Sequence, residues 1–351
     1  MQNETKNLKP SLRAFLPEEL ADILKELGEP RFRADQIFRW AQGGAESLDD
    51  MTNIPKALRS RLGESYSLTA PEAVRKQVSR IDGTIKYLWR FPDGNCVESV
   101  VMSYEHGHTI CISSQVGCRM GCAFCASTLG GLVRSLEPNE LLEQVLFSQK
   151  DSGLRITNIV LMGIGEPLDN YDAVLKFLKL VNHPDGLNIG MRHISLSTCG
   201  LVEKVDKLAD NNLQLTLSVS LHAPDDETRS RIMPVNRSCG VDRLLETCDR
   251  YFEKTGRRIS FEYAMIDGVN DTPRHAALLA EKLRGKGSHV NLIRLNDVSE
   301  SPLKPSTPES LRAFIDVLRK NGVNVTVRRR LGGDIDASCG QLRRKTMGEV
   351  I

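Results

Sequence analysis

Three cysteines, Cys118, Cys122 and Cys125, stand in the stretch CRMGCAFC at C-x-x-x-C-x-x-C spacing, with Phe124 directly before the third. Thiolates are soft ligands that select zinc or iron–sulfur clusters. A structural zinc ion takes four ligands, normally from two short-spaced pairs, whereas this loop offers three. Three thiolates on a [4Fe-4S] cluster leave one iron without a protein ligand, and an open iron is a place for a substrate to bind. Two alternatives stand beside this: a zinc ion completed by Cys111 or a distant residue, and cysteines that are simply buried. The chain holds nine cysteines, the others being Cys96, Cys111, Cys199, Cys239, Cys248 and Cys339. In a reducing compartment such clustering indicates metal or redox chemistry rather than disulfide staples.

The elements that must hold this loop are legible from residue 109 onward, where short β-rich runs alternate with helical patterns. TICISS precedes EPNELLEQVLFSQK, TNIVLMGIG precedes NYDAVLKFLKLV, and HISLST precedes LVEKVDKLA. LQLTLSVSL then leads to RSRIM, RISFEYAMI to PRHAALLAEKLR, and HVNLIRLN to TPESLRAFIDVLRKNG, where Thr307 and Pro308 suit a helix start. NVTVRR makes a last strand. Six alternations predict a parallel sheet, either doubly wound or an incomplete (β/α) barrel, and both folds bind ligands beyond the carboxyl ends of the strands. The cysteine loop falls there after the first strand, GIGEP after the second, STCG after the third, SLHAP after the fourth and Asn296 after the sixth.

Upstream, LPEELADILKELG places Leu16, Leu20, Ile23, Leu24 and Leu27 on one helical face, and RFRADQIFRWAQ and SLDDMTNIPKALRSRL continue the pattern. This predicts a small helical unit over residues 1–68. TIKYLWRF puts Ile85, Tyr87, Trp89 and Phe91 at period two, and a PDG turn followed by NCVESVVMS predicts a hairpin within residues 69–103. Residues 104–351 form the remaining unit.

With 47 basic and 45 acidic side chains in 351 residues, the net charge of +2 neither announces nor excludes a polyanionic partner. Charge is concentrated locally: Arg328, Arg329, Arg330, Arg343, Arg344 and Lys345 stand against Asp334 and Asp336, flanking Cys339. Such a patch can hold phosphates, and its bland alternative is a solvated tail. No stretch reaches the roughly 18 apolar residues of a membrane span, and MQNETKNLKPSLRAF lacks an apolar leader core, so a soluble cytoplasmic protein is expected. Taken alone, Cys339 reads as a small buried hydrophobe, Cys111 as an inward strand residue and Glu98 as a solvent-facing strand residue. His106 and His108 read as surface loop residues.

The cysteine motif with Phe124 and a glycine-rich segment downstream resembles the radical S-adenosylmethionine (SAM) enzymes. CISSQVGC (111–118), MGIGEPLDN (162–170), LSTCG (196–200), SLHAP (220–224), MPVN (233–236), DGVND (267–271), VNLIRLN (290–296) and DIDASCGQL (334–342) together resemble the RlmN/Cfr RNA adenine methyltransferases. The likeness runs over nearly the whole chain, including the small helical unit. Cys199 stands where serine is frequent and Ser338 where alanine is common; both remain small. GEPL rather than GEAL leans toward the RlmN branch.

The resemblance implies an α/β fold, an incomplete (β/α)6 radical SAM barrel with a small helical N-terminal domain. It implies one [4Fe-4S] cluster on Cys118, Cys122 and Cys125, with SAM chelated at the open iron. SAM contacts map to Gly165, Glu166, Ser197, Ser220, Leu221, His222 and Asn296. In the course the resemblance implies, two SAM molecules serve each turnover. The first methylates Cys339; the second gives a 5′-deoxyadenosyl radical that takes hydrogen from that methyl, and the resulting methylene radical adds to carbon 2 of an adenine. Glu98 maps to the proton acceptor, and Cys111 then attacks the Cys339 sulfur, forming a disulfide and freeing the base. The implied substrate is 23S rRNA, with the tRNA adenine 3′ to the anticodon as a further one, and the implied electron source is a flavodoxin- or ferredoxin-type reductant. A monomer is expected. The rival within the family is carbon 8 methylation in the Cfr manner; the rival from another class is a zinc-stabilised RNA-binding protein without catalysis.

Overall fold

In the computed structural model, residues 9–295 and 302–348 are described. The N-terminal unit folds as three helices, α1 (Pro17–Glu26), α2 (Phe32–Gln42) and α3 (Lys56–Ser65), whose apolar faces close on one another through Leu20, Leu24, Phe38, Leu58 and Leu62. Pro17 opens α1, and the Glu19 carboxylate accepts the Leu16 amide at 2.7 Å, fixing the entry of the helix.

Four antiparallel strands follow, β1 (Glu72–Val78), β2 (Ile85–Arg90), β3 (Cys96–Tyr104) and β4 (Gly107–Cys111). The turn between β2 and β3 is the expected one, with Gly94 at φ +85° and Asp93 accepting the Asn95 amide. After β4 come a short hairpin, β5 (Gln115–Gly117) with β6 (Leu132–Ser135), and α4 (Pro138–Ser152). The alternation then runs β7 (Ile156–Leu161), α5 (Tyr171–Asn182), β8 (Ile194–Thr198), α6 (Val202–Asp210), β9 (Thr216–Ser220), α7 (Asp226–Ile232) and α8 (Val241–Thr255). It ends with β10 (Ile259–Met265), α9 (Pro273–Leu283), β11 (Ser288–Arg294), α10 (Pro308–Lys320), β12 (Val325–Val327) and α11 (Gln341–Gly348). As expected, Thr307 caps α10, accepting the Ser310 amide, and Pro308 is its first residue.

One sheet holds ten strands in the order β1-β2-β3-β4-β7-β8-β9-β10-β11-β12, parallel from β4 onward. That order decides between the two architectures. A doubly wound sheet reverses direction at a switch point; here each parallel strand is laid beside the one before it, always in one direction, which is the winding of a barrel that stops before closure. Burial alternates accordingly. Ile159, Leu161, Ile194, Leu196 and Leu292 are wholly covered by helices, while Asn158, Val160, Ser195 and Ser197 face a half-open lumen.

Four elements lie outside the alternation read from sequence. β1 is a polar edge strand without an apolar face, β5 and β6 are too short to carry a period, and α8 adds a second helix to a crossover that α7 had already filled. His108 is a strand residue rather than a loop residue: the β3–β4 hairpin pairs it with Ser103, and its Nδ1 lies 3.1 Å from the Ser103 hydroxyl. His106 is in the exposed turn, stacked on Tyr104.

Glu98 departs furthest from its expected place. Strand alternation gives it one face of β3, but that face is covered by residues 331–348, which leaves Glu98 only 3% exposed. Its neighbours on the same face are Lys86, Leu88, Val100 and, across β4, Cys111. Leu342 packs onto Leu88 and Cys96, pinning the C-terminal segment down.

Candidate active site

The loop from β4 to α4 carries the three cysteines and is tied into a fixed shape. Gly117 has φ +82°, and a Cβ there would meet the Gly131 carbonyl oxygen at 2.0 Å. Only glycine lets β5 and β6 close. The Cys125 amide donates to the Cys122 carbonyl at 3.1 Å and the Thr128 hydroxyl to the Cys125 carbonyl at 2.9 Å. Gly165, at φ +109°, lets GIGEP cross directly over Ser114 and Gln115; a Cβ would lie 2.6 Å from that of Gln115.

Cys118, Cys122 and Cys125 line a single cavity of about 270 Å3, beside Met120 and Phe124. Burial pushes the Cys118 thiol up to about 11 and raises Cys122 and Cys125 as well. Burial thus disfavours the thiolates, and a bound cation would offset that penalty. Among the described residues the three side chains share the cavity without being gathered at metal-binding spacing. Three soft donors on one loop facing one mouth fit an iron–sulfur cluster with one open iron and do not supply the fourth ligand of a closed zinc site.

The other expected contacts surround the same cavity, with two exceptions. Gly165, Glu166, Ser197, Ser220 and His222 line it. Leu221 does not: its side chain is fully buried in the main core, its amide donates to Glu262 and its carbonyl accepts from Arg229. Asn296 lies outside the described residues. The Glu166 carboxylate is buried and used internally, accepting the Cys199 amide at 2.7 Å and the Leu168 amide at 3.0 Å, and burial raises its pKa.

His222 sits at φ +56°, unusual for a residue other than glycine, with its ring edge-on to Phe124 at 4.8 Å between centroids. Its Nδ1 accepts the Ala264 amide at 2.8 Å, so the proton is on Nε2. Burial, together with Arg229, pushes its pKa down to about 3. The folded-state value lies below the ordinary 6.5, so the neutral ring contributes stability at pH above 6.5 that is lost as pH falls toward 3. Replacing His222→Gln, which keeps an acceptor for Ala264, is expected to flatten the dependence of the urea midpoint on pH between 6.5 and 3. Parallel pH curves for the two proteins would rule this out.

Cys339 stands in the wall between this cavity and a second one of about 380 Å3, which is lined by Tyr104, Cys111, Arg329 and Arg330. Met162 and Arg328 line both. The thiols of Cys111 and Cys339 are free and interact with each other, both lining the outer cavity. Their mutual interaction is the main reason the Cys339 thiol is lowered, with help from Lys86 and Arg328, and the Cys111 thiol is raised, with burial adding to it. The sulfur of Cys339 also lies 3.3 Å from the Met162 carbonyl, which its thiol form can use.

Four contributors were not singled out from sequence. Arg229 is fully buried and donates to the carbonyls of Cys199, Ser220 and Leu221 and to Asn236, joining the ends of β8 and β9. Glu262 projects from β10 into the inner cavity and accepts from Asn291 at 2.9 Å; burial raises its pKa. Lys86 is fully buried beside Glu98, and Met162 borders both cavities. The signal for Glu262 and Lys86 was present: an ionisable residue at an alternation position inside an apolar strand, as in RISFEYAM and TIKYLWRF.

A one-way parallel barrel with a three-cysteine loop at its mouth defines a radical SAM site. Residues 112–280 match the Radical SAM superfamily, and residues 10–68 match the ribosomal RNA large subunit methyltransferase N-terminal domain. A Lachnoclostridium phytofermentans protein described as a probable dual-specificity RNA methyltransferase RlmN is 49% identical over 356 residues, covering 100% of this chain and 99% of that protein. One from Alkaliphilus oremlandii with the same description is 51% identical, covering 96% and 98%. The crystal structure of a radical SAM methyltransferase from Sphaerobacter thermophilus matches with a TM-score of 0.90 at 43% identity, covering 95% of this chain and 98% of that one. The chain belongs to the RlmN family of radical SAM RNA methyltransferases. Its cofactors are accordingly a [4Fe-4S] cluster and SAM. No helix among the described residues is long and apolar enough to cross a membrane.

Proposed function

We propose that this enzyme methylates carbon 2 of an adenine in 23S rRNA, and of the adenine 3′ to the anticodon in tRNA, using Cys339 as a methyl carrier. The observation that carries this reading is the position of Cys339, facing a cysteine-lined cavity on one side and an arginine-lined cavity on the other, with the free thiol of Cys111 lining the second cavity beside it. Cys118, Cys122 and Cys125 hold the cluster; Gly165, Glu166, Ser197, Ser220, His222 and Asn296 hold SAM. When bound, these cofactors supply the methyl group and a one-electron means of removing hydrogen from it.

The chain's own residues do the rest. The lowered Cys339 thiol gives a thiolate that accepts the methyl, forming a carbon–sulfur bond as S-adenosylhomocysteine leaves. An adenine drawn from RNA enters the outer cavity, where Tyr104 offers a stacking face and Arg328, Arg329 and Arg330 offer phosphate contacts. After the base is joined to Cys339, Cys111 attacks the sulfur: the disulfide bond forms, the carbon–sulfur bond breaks, its electron pair stays with the base, and the released carbon takes up the proton that Cys111 gives up, completing the methyl group. Glu98 serves as proton acceptor only once the Cys339 segment has moved, because both its oxygens are occupied by donors in the docked state. Residues 1–68 act as an RNA-binding accessory domain, 69–103 as a lead-in and 104–351 as the catalytic unit. A flavodoxin- or ferredoxin-type protein supplies electrons, and the enzyme works as a cytoplasmic monomer.

Nucleoside mass spectrometry with isomer standards tests this on 23S rRNA treated anaerobically with cluster-loaded protein, SAM and a low-potential reductant. The expected product is 2-methyladenosine. Finding 8-methyladenosine instead would overturn the assignment to carbon 2.

A further inference from the structure

Beyond its charge acting on Cys339, Lys86 makes and breaks no bond in the chemistry above, yet its side chain is only 1% exposed. Burying an ammonium is costly unless every proton is placed. Its Nζ donates to Glu98 Oε2 at 2.6 Å, to the Ser338 carbonyl at 3.0 Å and to the Ala337 carbonyl at 3.4 Å. Glu98 completes the arrangement from the other side: Oε2 also accepts the Gly340 amide at 2.7 Å, and Oε1 accepts the Arg343 amide at 2.6 Å. The ion pair thus grips the two carbonyls before Cys339 and two amides after it. Both side chains project from the rigid β2–β3 pair, in register two residues apart. Cys339 lies at the centre of the gripped segment.

We propose that Lys86 is a positioning residue: with Glu98 as its partner it clamps residues 337–343 so that the Cys339 sulfur is held in the wall between the two cavities. The proposal rests on the reading of Cys339 as methyl carrier. A positioning residue acts on the rate of the step at the positioned atom, while the binding of the other reactant is left alone.

Lys86→Met is of similar length and removes the charge. Because it leaves the Glu98 carboxylate buried without its partner, Lys86→Met/Glu98→Gln is made as well, so that loss of folding cannot imitate loss of the clamp. Three quantities are read: hydrogen exchange of peptides spanning 331–348 in the cluster-free proteins, the dissociation constant for SAM in the reconstituted proteins, and the rate of methylation of Cys339 by peptide mass spectrometry. In both variants exchange in 331–348 is expected to quicken and Cys339 methylation to slow, each on the order of tenfold or more, with SAM affinity within about twofold of wild type. Methylation of Cys339 in either variant at the wild-type rate overturns the proposal. Absence of methylation at Cys339 in the wild-type protein overturns instead the carrier reading beneath it.

Discussion

Cells producing the Cys111→Ala variant with a loaded cluster are expected to accumulate protein covalently joined to RNA through Cys339, whereas Cys339→Ala gives neither adduct nor methylated base. The different roles proposed for the two cysteines match a difference in their environments. The Cys339 thiol is lowered and faces both cavities, which suits a group that takes a methyl on one side and presents it on the other. The Cys111 thiol is raised and held on the sheet, lining the outer cavity beside Cys339, which suits a group that acts last. Removing the carrier should lower product formation by on the order of 10⁴ or more, as loss of a covalent nucleophile does elsewhere. Removing the resolving thiol leaves methylation of Cys339 and attachment to RNA intact and blocks only release. Nuclease digestion followed by mass spectrometry of the Cys339 peptide would reveal the adduct; a Cys111→Ala protein that turns over freely would remove Cys111 from the reaction.

The second large effect is on stability. Arg229→Met is expected to destabilise the fold by about 3–5 kcal/mol, because three carbonyls and the Asn236 side chain lose a buried cationic donor at once. That corresponds to a fall in melting temperature on the order of 10 °C. The loss should appear at the site as weaker SAM binding, since the carbonyls concerned belong to the turns after β8 and β9 that carry Cys199 and Ser220. Arg250→Met is the control: Arg250 pairs with a carboxylate, Asp206, but both are about half exposed, and such pairs contribute less than about 1 kcal/mol. Calorimetric scans giving the two variants equal, small shifts would show that Arg229 does not join these strand ends.

The parallel sheet was legible because strands such as β8 and β11 bury one face and leave the other half-open, so that HISLST and HVNLIRLN write the alternation directly into the sequence, while the choice of a barrel needed the strand order. The cavity-lining role of Gly165, Ser197, Ser220 and His222 followed from their places at strand ends. What sequence could not convey was the effect of the C-terminal segment. Residues 331–348 fold back over β2, β3 and β4, and this converts Glu98 from an apparent surface residue into a buried ion-pair partner and makes Lys86 part of the setting of Cys339. Period-two alternation reports which face a residue takes, not what later comes to cover that face. Leu221 illustrates the converse: it stands between two cavity-lining residues, and the same alternation turns its side chain into the core. Arg229 carried no signal, since an arginine in RSRIM reads as one more exposed helical charge until the turns it joins are assembled around it.

The central claim, that the methyl reaching RNA passes through Cys339, is tested most directly by a single turnover. Protein whose Cys339 has been preloaded with a deuterated methyl group is freed of labelled SAM, then given unlabelled SAM, reductant and rRNA. Nucleoside mass spectrometry of the first product formed is expected to find deuterium in the methyl group of 2-methyladenosine. A first product carrying no deuterium would contradict the account.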